Sequence, residues 1–290
     1  MVQFGTKLIP AYFGHHKSAS TFLLIIVMDI CRYMRLNHAH YHSPKMWGYK
    51  DGYTLDKVVD QNKLDFVSYI SADISYLGDL SRFRGVHVIR DPRDVVVSSY
   101  FSHKTSHPTG GWPELAEFRP VLNSLSKDDG MIENMKFTAK LPIDGWDINL
   151  FDNFMEWDYL LPNIMEVKFE RLVRNPYVVL LEMFDFMEML EFSDVNPSGL
   201  LRYVLRNRFP QRFSKITTIP AWLMLFQGYA NRFSKLSGGR SRGSEDEASH
   251  FRKGLPGDWK NHFTDRHKDF FKKNYNGLLI KLGYEKDDNW

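Results

Sequence analysis

The 290-residue chain is 43% hydrophobic and carries a formal net charge of +3, which suits one large α/β domain and falls short of the basic excess of a dedicated nucleic-acid binder. Its single cysteine, Cys31, excludes an intramolecular disulfide and fits a reducing, cytoplasmic setting. The longest clean apolar run near the N-terminus, FLLIIVM, has seven residues, too few for a signal segment or a membrane span.

In chain order, KLIPAYF (7–13) reads as a short buried strand, and a loop leads from it into an apolar helix over 20–35. NHAHYHS (37–43) and LDFVSYI (64–70) supply two further strands, and GVHVIR (85–90) a fourth. DPRDVVVSSYF follows, with Asp91 placed to cap a helix and Pro92 in its first turn. A loop rich in Gly, Pro and His (103–113) precedes helices over 113–126, 128–138 and 151–160, then a strand, NIMEVKFE (163–170). Asn175-Pro176 opens a long helix to about residue 190, IPAWLMLFQGYA (219–230) reads as a core helix or a lid over a ligand, and a C-terminal helix closes the chain. Such alternation predicts a single α/β domain over 1–290, a central parallel sheet flanked by helices, with a mobile surface loop at 237–249.

Three stretches carry the chemistry. The loop HHKSAST sets Lys17 and the hydroxyls of Ser18, Ser20 and Thr21 at a helix start, where unpaired amides and the helix dipole favour an anion. It lacks the second glycine of a kinase loop, since His16 precedes the lysine. The fourth strand ends in Arg90, with Ser98 eight residues on, instead of a magnesium-binding carboxylate. The third, FRKGLPGDWKNHFT, presents Arg252, Lys253 and the Gly254 amide together. Three clusters of phosphate-binding type imply a ligand with more than one phosphate. Blander readings are a solvated turn for the first loop and an ion pair of Arg90 with Asp91 or Asp94.

These motifs, in this order, resemble those of sulfotransferases that use 3'-phosphoadenosine 5'-phosphosulfate (PAPS), whose product is the 3',5'-bisphosphate PAP. HKSASTFL is similar to the 5'-phosphosulfate loop, VIRDPRDVVVSSY to the 3'-phosphate strand and helix, and the late Arg-Lys-Gly segment to that family's closing motif. EVKFERLVRNP resembles a segment that usually reads tyrosine-glutamate-aspartate-leucine. The resemblance implies a P-loop-like fold and PAPS as co-substrate, with cations doing the work of a metal. It puts Lys17 on the leaving oxygen and His16, Ser18, Ala19, Ser20, Thr21 and Phe22 around the 5' end. Arg90, Ser98, Arg252, Lys253 and Gly254 fall on the 3'-phosphate, and Phe233 is a stacking candidate for adenine.

Departures from the pattern also carry expectations. Ala19 replaces a glycine, so the backbone there is expected to avoid positive φ, and Phe169 replaces a tyrosine. The lysine-threonine-histidine-leucine-proline segment that carries the base in animal cytosolic members is absent, the corresponding strand reading FVSYISADI. Histidine is the favoured base type near neutral pH, and HAHYH puts His38, His40 and His42 on one strand face. His40 or His42 is therefore the expected base, with His16, Asp73 and His103 as rivals and a polar strand edge as the plain alternative. The alternating histidines have no cysteine or carboxylate at metal spacing, so no metal is expected. The style of the motifs resembles bacterial members, including cyanobacterial ones that decorate secondary metabolites, more than the animal detoxifying enzymes. A small molecule with a hydroxyl or amine is the expected acceptor. A P-loop kinase or NTPase, and a non-catalytic PAP-binding protein, are the alternatives.

Overall fold

The computed structural model describes residues 8–49, 52–195, 197–275 and 277–290. Its centre is a five-stranded, all-parallel sheet made of β1 (Ile9–Phe13), β2 (His38–Tyr41), β3 (Phe66–Tyr69), β4 (Phe83–Ile89) and a fifth strand, Ile164–Lys168, in the spatial order β2, β3, β1, β4, fifth. β1 lies in the middle, with Phe13 opposite Tyr69 on one side and His87 on the other. The strands read as almost continuous apolar runs because both sheet faces are covered, as parallel sheets require. Alternation along β1 assigns those faces. Tyr12 joins a cluster with Val86, Val88 and helix α1 (Ser20–Met34). Ala11 and Phe13 join another with Val67, Phe83 and helix α2 (Leu55–Gln61).

Between β1 and β4 the winding of the sheet reverses: β1 leads through α1 to β2 on one side, and the chain returns from β3 past β1 to β4 on the other. The crevice at the carboxyl ends of strands at such a switch point is where open α/β sheets bind ligands. α3 (Pro92–Phe101) starts beside it, capped by Asp91, whose carboxylate accepts from the Arg93 amide. α3 runs without a break into a π-helical turn, Ser102–Ser106. A further cluster joins α3 to α4 (Pro113–Ser124), α5 (Lys127–Lys140) and the C-terminal helices through Tyr100, Leu122, Met131 and Phe271.

The expected strands and helices are present with shifted ends. The long helix from Pro176 stops at Phe186, because Glu188 takes φ 57° and Leu190–Glu191 pairs with Ile219–Pro220. The C-terminal helix is two pieces, Asp265–Tyr275 and Leu278–Lys281. The lid reading of 219–230 is corrected: helix Ala221–Ala230 packs with Leu223 and Met224 buried in the α1-side core, Trp222 lies against Tyr203, and Phe226 is exposed, none of them in the cavity wall. Residues 237–249 hold no helix or strand. Arg240 donates to the carbonyls of Phe251 and Arg252, and the Gly243 and Asp246 amides bond those of Lys253 and Arg252. No helix among the described residues is long and apolar enough to cross a membrane.

Candidate active site

The loop between β1 and α1 turns tightly. Ser18 N and Ser20 Oγ both bond the His15 carbonyl, at 3.1 and 2.7 Å. The turn is made by two left-handed residues, Lys17 at φ 63° and Ala19 at φ 67°. The expectation that Ala19 avoids positive φ is therefore wrong. The wrap of this loop demands the conformation whatever the residue, at a cost of about 1–2 kcal/mol for a non-glycine. Strain of that kind persists only where surroundings over-determine it. Ala19 also occupies the N-cap of α1, so the helix has no side-chain cap and no acidic residue in its first turn. Its first amides are free of protein side chains, and Ser18 Oγ is buried without a partner.

Arg90 follows β4 directly and is almost fully buried. Its guanidinium lies 4.2 Å above the Phe169 ring and donates to the Lys17 carbonyl at 2.9 Å, while its Nε has no partner. The ion pairs considered for it do not form. Asp91 holds Arg93 through two bonds of 3.0 and 2.8 Å, and Asp94 accepts from the Gly257 and Trp259 amides. Arg93 is clamped further by Glu285 and by the Trp259 ring at 3.8 Å. The charges flanking Arg90 are thus consumed in tying α3 to the late motif, which leaves Arg90 facing the cavity.

That late motif brings Arg252, Lys253 and Gly254 to the same place. Gly254 has φ 70°, and a Cβ there would stand 2.5 Å from the Phe233 ring, so only glycine lets that ring lie on the backbone. Arg252 and Lys253 are held from behind by Asp258 and Glu245. Burial pushes the Asp258 carboxyl up, but hydrogen bonds from His262, Lys253, Asn261 and Arg252 outweigh it and hold the group well below the usual range. Glu245, Asp258 and His262 are spaced closely enough to ligate a metal. Two of the three are engaged by these cations.

The clusters meet around one cavity of about 690 Å³. Its wall includes His16, Lys17, Ala19, Ser20, Thr21, Phe22, Arg90, Ser98, Phe233, Arg252, Lys253 and Gly254, and also His42. Ser18, in the same loop, is fully buried and is not part of the wall. His40 does not reach the wall. On the edge strand β2 the imidazoles of His38, His40 and His42 follow one another at 6.2 and 5.8 Å, and only the last arrives at the cavity. Of the other candidates, Asp73 caps the Ile74–Tyr76 turn and His103 is fully buried behind His16.

Several residues went unread in the sequence. His107 and Trp112, from the loop after α3, face His16 at 5.6 and 5.5 Å between ring centres. His250, immediately before the late motif, bonds Thr21 Oγ1 at 2.9 Å. Asp144, between two short strands, accepts from Ser43, and Arg242 joins the wall near Val173. The Gly/Pro/His composition of 103–113 and the position of His250 were the available signals.

The electrostatics divide accordingly. Burial, and then Arg90 and Arg252, push the Lys17 ammonium down to about 7. Burial, followed by neighbouring cations and imidazoles, holds His16 and His103 well below their ordinary value and lowers His107 to about 3. Burial and Lys17 lower His250 to about 4. At neutral pH these imidazoles are uncharged beside the cations of the pocket.

A five-stranded parallel sheet with a ligand cavity at its switch point defines a nucleotide-binding type of α/β protein. A family model for the sulfotransferase domain matches residues 79–283, and the chain belongs to that family. The match begins after the Lys17 loop. Among solved structures, mouse sulfotransferase SULT7A1 complexed with PAP superposes with a TM-score of 0.55 at 13% identity, over 98% of this chain and 90% of that one. Retinol dehydratase with retinol and PAP gives 0.53 at 14%, over 94% and 81%, and its complex with androsterone and PAP gives 0.51 at 14%, over 93% and 80%. At such identities the likeness is one of fold. No curated protein sequence matches the chain.

Proposed function

We propose that the protein transfers a sulfuryl group from PAPS to a hydroxyl or amine of a small, largely apolar acceptor. The observation that carries this reading is the convergence of Lys17, Arg90 and the Arg252–Gly254 segment on a single cavity. The residues fit the donor. Ser18 Oγ and Arg90 Nε are buried polar atoms without protein partners, the α1 terminus has no side-chain cap, and Gly254 with Phe233 forms a flat cradle suited to a purine. The fold relatives carrying PAP support the same choice.

When bound, PAPS supplies an activated sulfuryl group whose transfer leaves a phosphate. The chain's contribution is position and charge. Lys17, with the loop amides and the hydroxyls of Ser18, Ser20 and Thr21, stabilises negative charge building on the 5' side. Arg90, Ser98, Arg252, Lys253 and the Gly254 amide hold the 3'-phosphate, which distinguishes the donor from ATP. The apolar part of the wall, Met46, Ile70, Pro108, Trp112 and Ile143, excludes water and suits an apolar acceptor. Retinol and androsterone, seen in the retinol dehydratase complexes, are ligands of this character.

An ATP- and magnesium-dependent reaction is less well supported, because Asp91 and Asp94, the carboxylates following β4, are committed to Arg93 and to backbone amides. The test is incubation with sulfur-labelled PAPS and a panel of phenols, alcohols and amines in chelator. Labelled acceptor with stoichiometric PAP is expected. No transfer to any class, with phosphorylation from ATP and magnesium instead, would overturn the reading.

A further inference from the structure

Four histidines line the cavity: His16, His42, His107 and His250. A general base needs more than a place in the wall. The nitrogen facing the acceptor must carry a lone pair, and a group behind the ring must fix the tautomer that leaves it there. His42 has no side-chain partner that sets a tautomer. His107 Nδ1 is buried with nothing to bond, and His250 is bonded to a hydroxyl, which donates or accepts equally well.

His16 differs because the network behind it fixes every proton. Asn134 Nδ2 donates to the Val96 carbonyl at 3.0 Å, an atom that only accepts, so the amide orientation is set. Ser99 Oγ donates to the same carbonyl at 2.9 Å and accepts from Asn134 Nδ2 at 2.8 Å. Asn134 Oδ1 is then the acceptor toward His103 Nδ1 at 2.8 Å, which makes that nitrogen N–H and leaves His103 Nε2 with the lone pair. His103 Nε2 lies 3.0 Å from His16 Nε2, so His16 Nε2 must carry the proton. His16 Nδ1 is left unprotonated, with no hydrogen-bond partner among the described residues. The π-helical turn supplies the register: it continues α3 past Phe101 and buries His103 between Asn134 and the loop that bears His16 and Lys17.

We infer that His16 is the general base and that His103 and Asn134 are positioning residues that hold it in the Nε2–H tautomer. The inference rests on the sulfuryl-transfer reading above. In the step, His16 Nδ1 takes the proton from the acceptor hydroxyl as its oxygen forms the new bond to sulfur. The bond from sulfur to the bridging phosphate oxygen breaks, and its electron pair stays on the departing PAP beside Lys17. The imidazolium then returns its proton to solvent. Base and leaving-group cation are consecutive residues, held on one strained turn.

Two measurements test this, one of them independent of activity. Nitrogen NMR of histidine-labelled protein is expected to show His16 with Nε2 protonated and Nδ1 bare, and the opposite tautomer overturns the inference. In single turnover, His16→Ala is expected to lose roughly 100-fold or more in rate, to keep its PAP affinity within about threefold, and to recover with added imidazole. Asn134→Leu, which cannot accept from His103, loses about tenfold at unchanged PAP affinity. A His16→Ala protein that transfers normally, or one that loses PAP binding and is not rescued, places His16 outside base catalysis. If the wild type binds PAP yet sulfates nothing, the sulfuryl-transfer reading fails, and the tautomer still decides whether the network is as described.

Discussion

The cations of the cavity wall and its histidines are built by opposite means. Lys17, Arg90 and Arg252–Gly254 each sit in a short stretch whose local geometry makes the contact: a turn into a capless helix, a strand tip, and a glycine under a phenyl ring. The histidines of the wall come one apiece from the α1 loop, the end of β2, the segment after α3 and the stretch before the late motif. Local geometry that must grip a phosphate constrains neighbouring residues together, so its sequence pattern is compact. An apolar wall needs only shape, which any nearby element can provide. The cationic stretches and His16 are therefore expected to respond to single substitutions as an all-or-none grip, and the apolar wall around Met46 more gradually.

The largest expected effect breaks the grip. Lys17→Met is expected to lower turnover by about 100- to 1,000-fold, the scale for losing a charge aimed at a developing anion. Equal loss in an acceptor-side variant such as Met46→Ala would erase the distinction. Gly254→Val comes next. A Cβ 2.5 Å from the Phe233 ring, on a backbone at φ 70°, is expected to weaken PAP binding at least about 30-fold, or roughly 2 kcal/mol. A circular dichroism spectrum like that of the wild type would show the fold intact.

Acidity separates the two groups as well. In the free chain Lys17 is lowered to about 7, and a bound anion raises it, so binding takes up a proton. PAP affinity is expected to be highest below pH 7 and to fall as pH rises through it, approaching about tenfold per unit by pH 8–9. Lys17→Met is expected to flatten that slope in calorimetry. Without ligand the sign reverses: Lys17 binds more protons unfolded than folded between about 7 and its unperturbed value, so the free fold gains stability as pH rises in that window.

The smallest effects lie beneath the loop. Ala19→Gly removes the left-handed penalty at φ 67° but adds unfolded-state entropy, for a net stabilisation of about 0.5 kcal/mol with PAP binding unchanged. Under the sheet, His15 contacts His87 at 2.6 Å, and His87 Nδ1 meets Glu166, whose other oxygen accepts from Trp157. Burial pushes Glu166 up to about 8 despite the Trp157 bond, so its ionisation costs stability between its unfolded pKa and that value. Glu166→Gln is expected to raise the melting midpoint at pH 7.5 by about 2 °C and to change nothing at pH 4.

Much of this was legible in the sequence, for reasons tied to particular residues. The sheet strands announced themselves because parallel strands covered on both faces are apolar throughout, and Asp91-Pro92 marked the start of α3. Ala19 departs from expectation because the demand of the turn overrides the residue's own preference and holds it at φ 67°. The length of the 176–190 helix was overread because periodicity continues past Phe186, while the pairing that ends it involves Ile219, far along the chain. His40 and His42 attracted notice through their spacing, yet only His42 reaches the cavity, since a strand at the sheet edge offers one end to it. The His16–His103–Asn134 chain joins residues 87 and 31 positions apart, and no local pattern encodes it.

The most direct test of the central claim is calorimetric binding of PAP against ADP in metal-free buffer, on the wild type and on Arg90→Ala. The account predicts that PAP binds far more tightly than ADP, and that Arg90→Ala loses about 2 kcal/mol or more toward PAP with little change toward ADP. Equal affinity for the two nucleotides, or binding that appears only with magnesium, would contradict it.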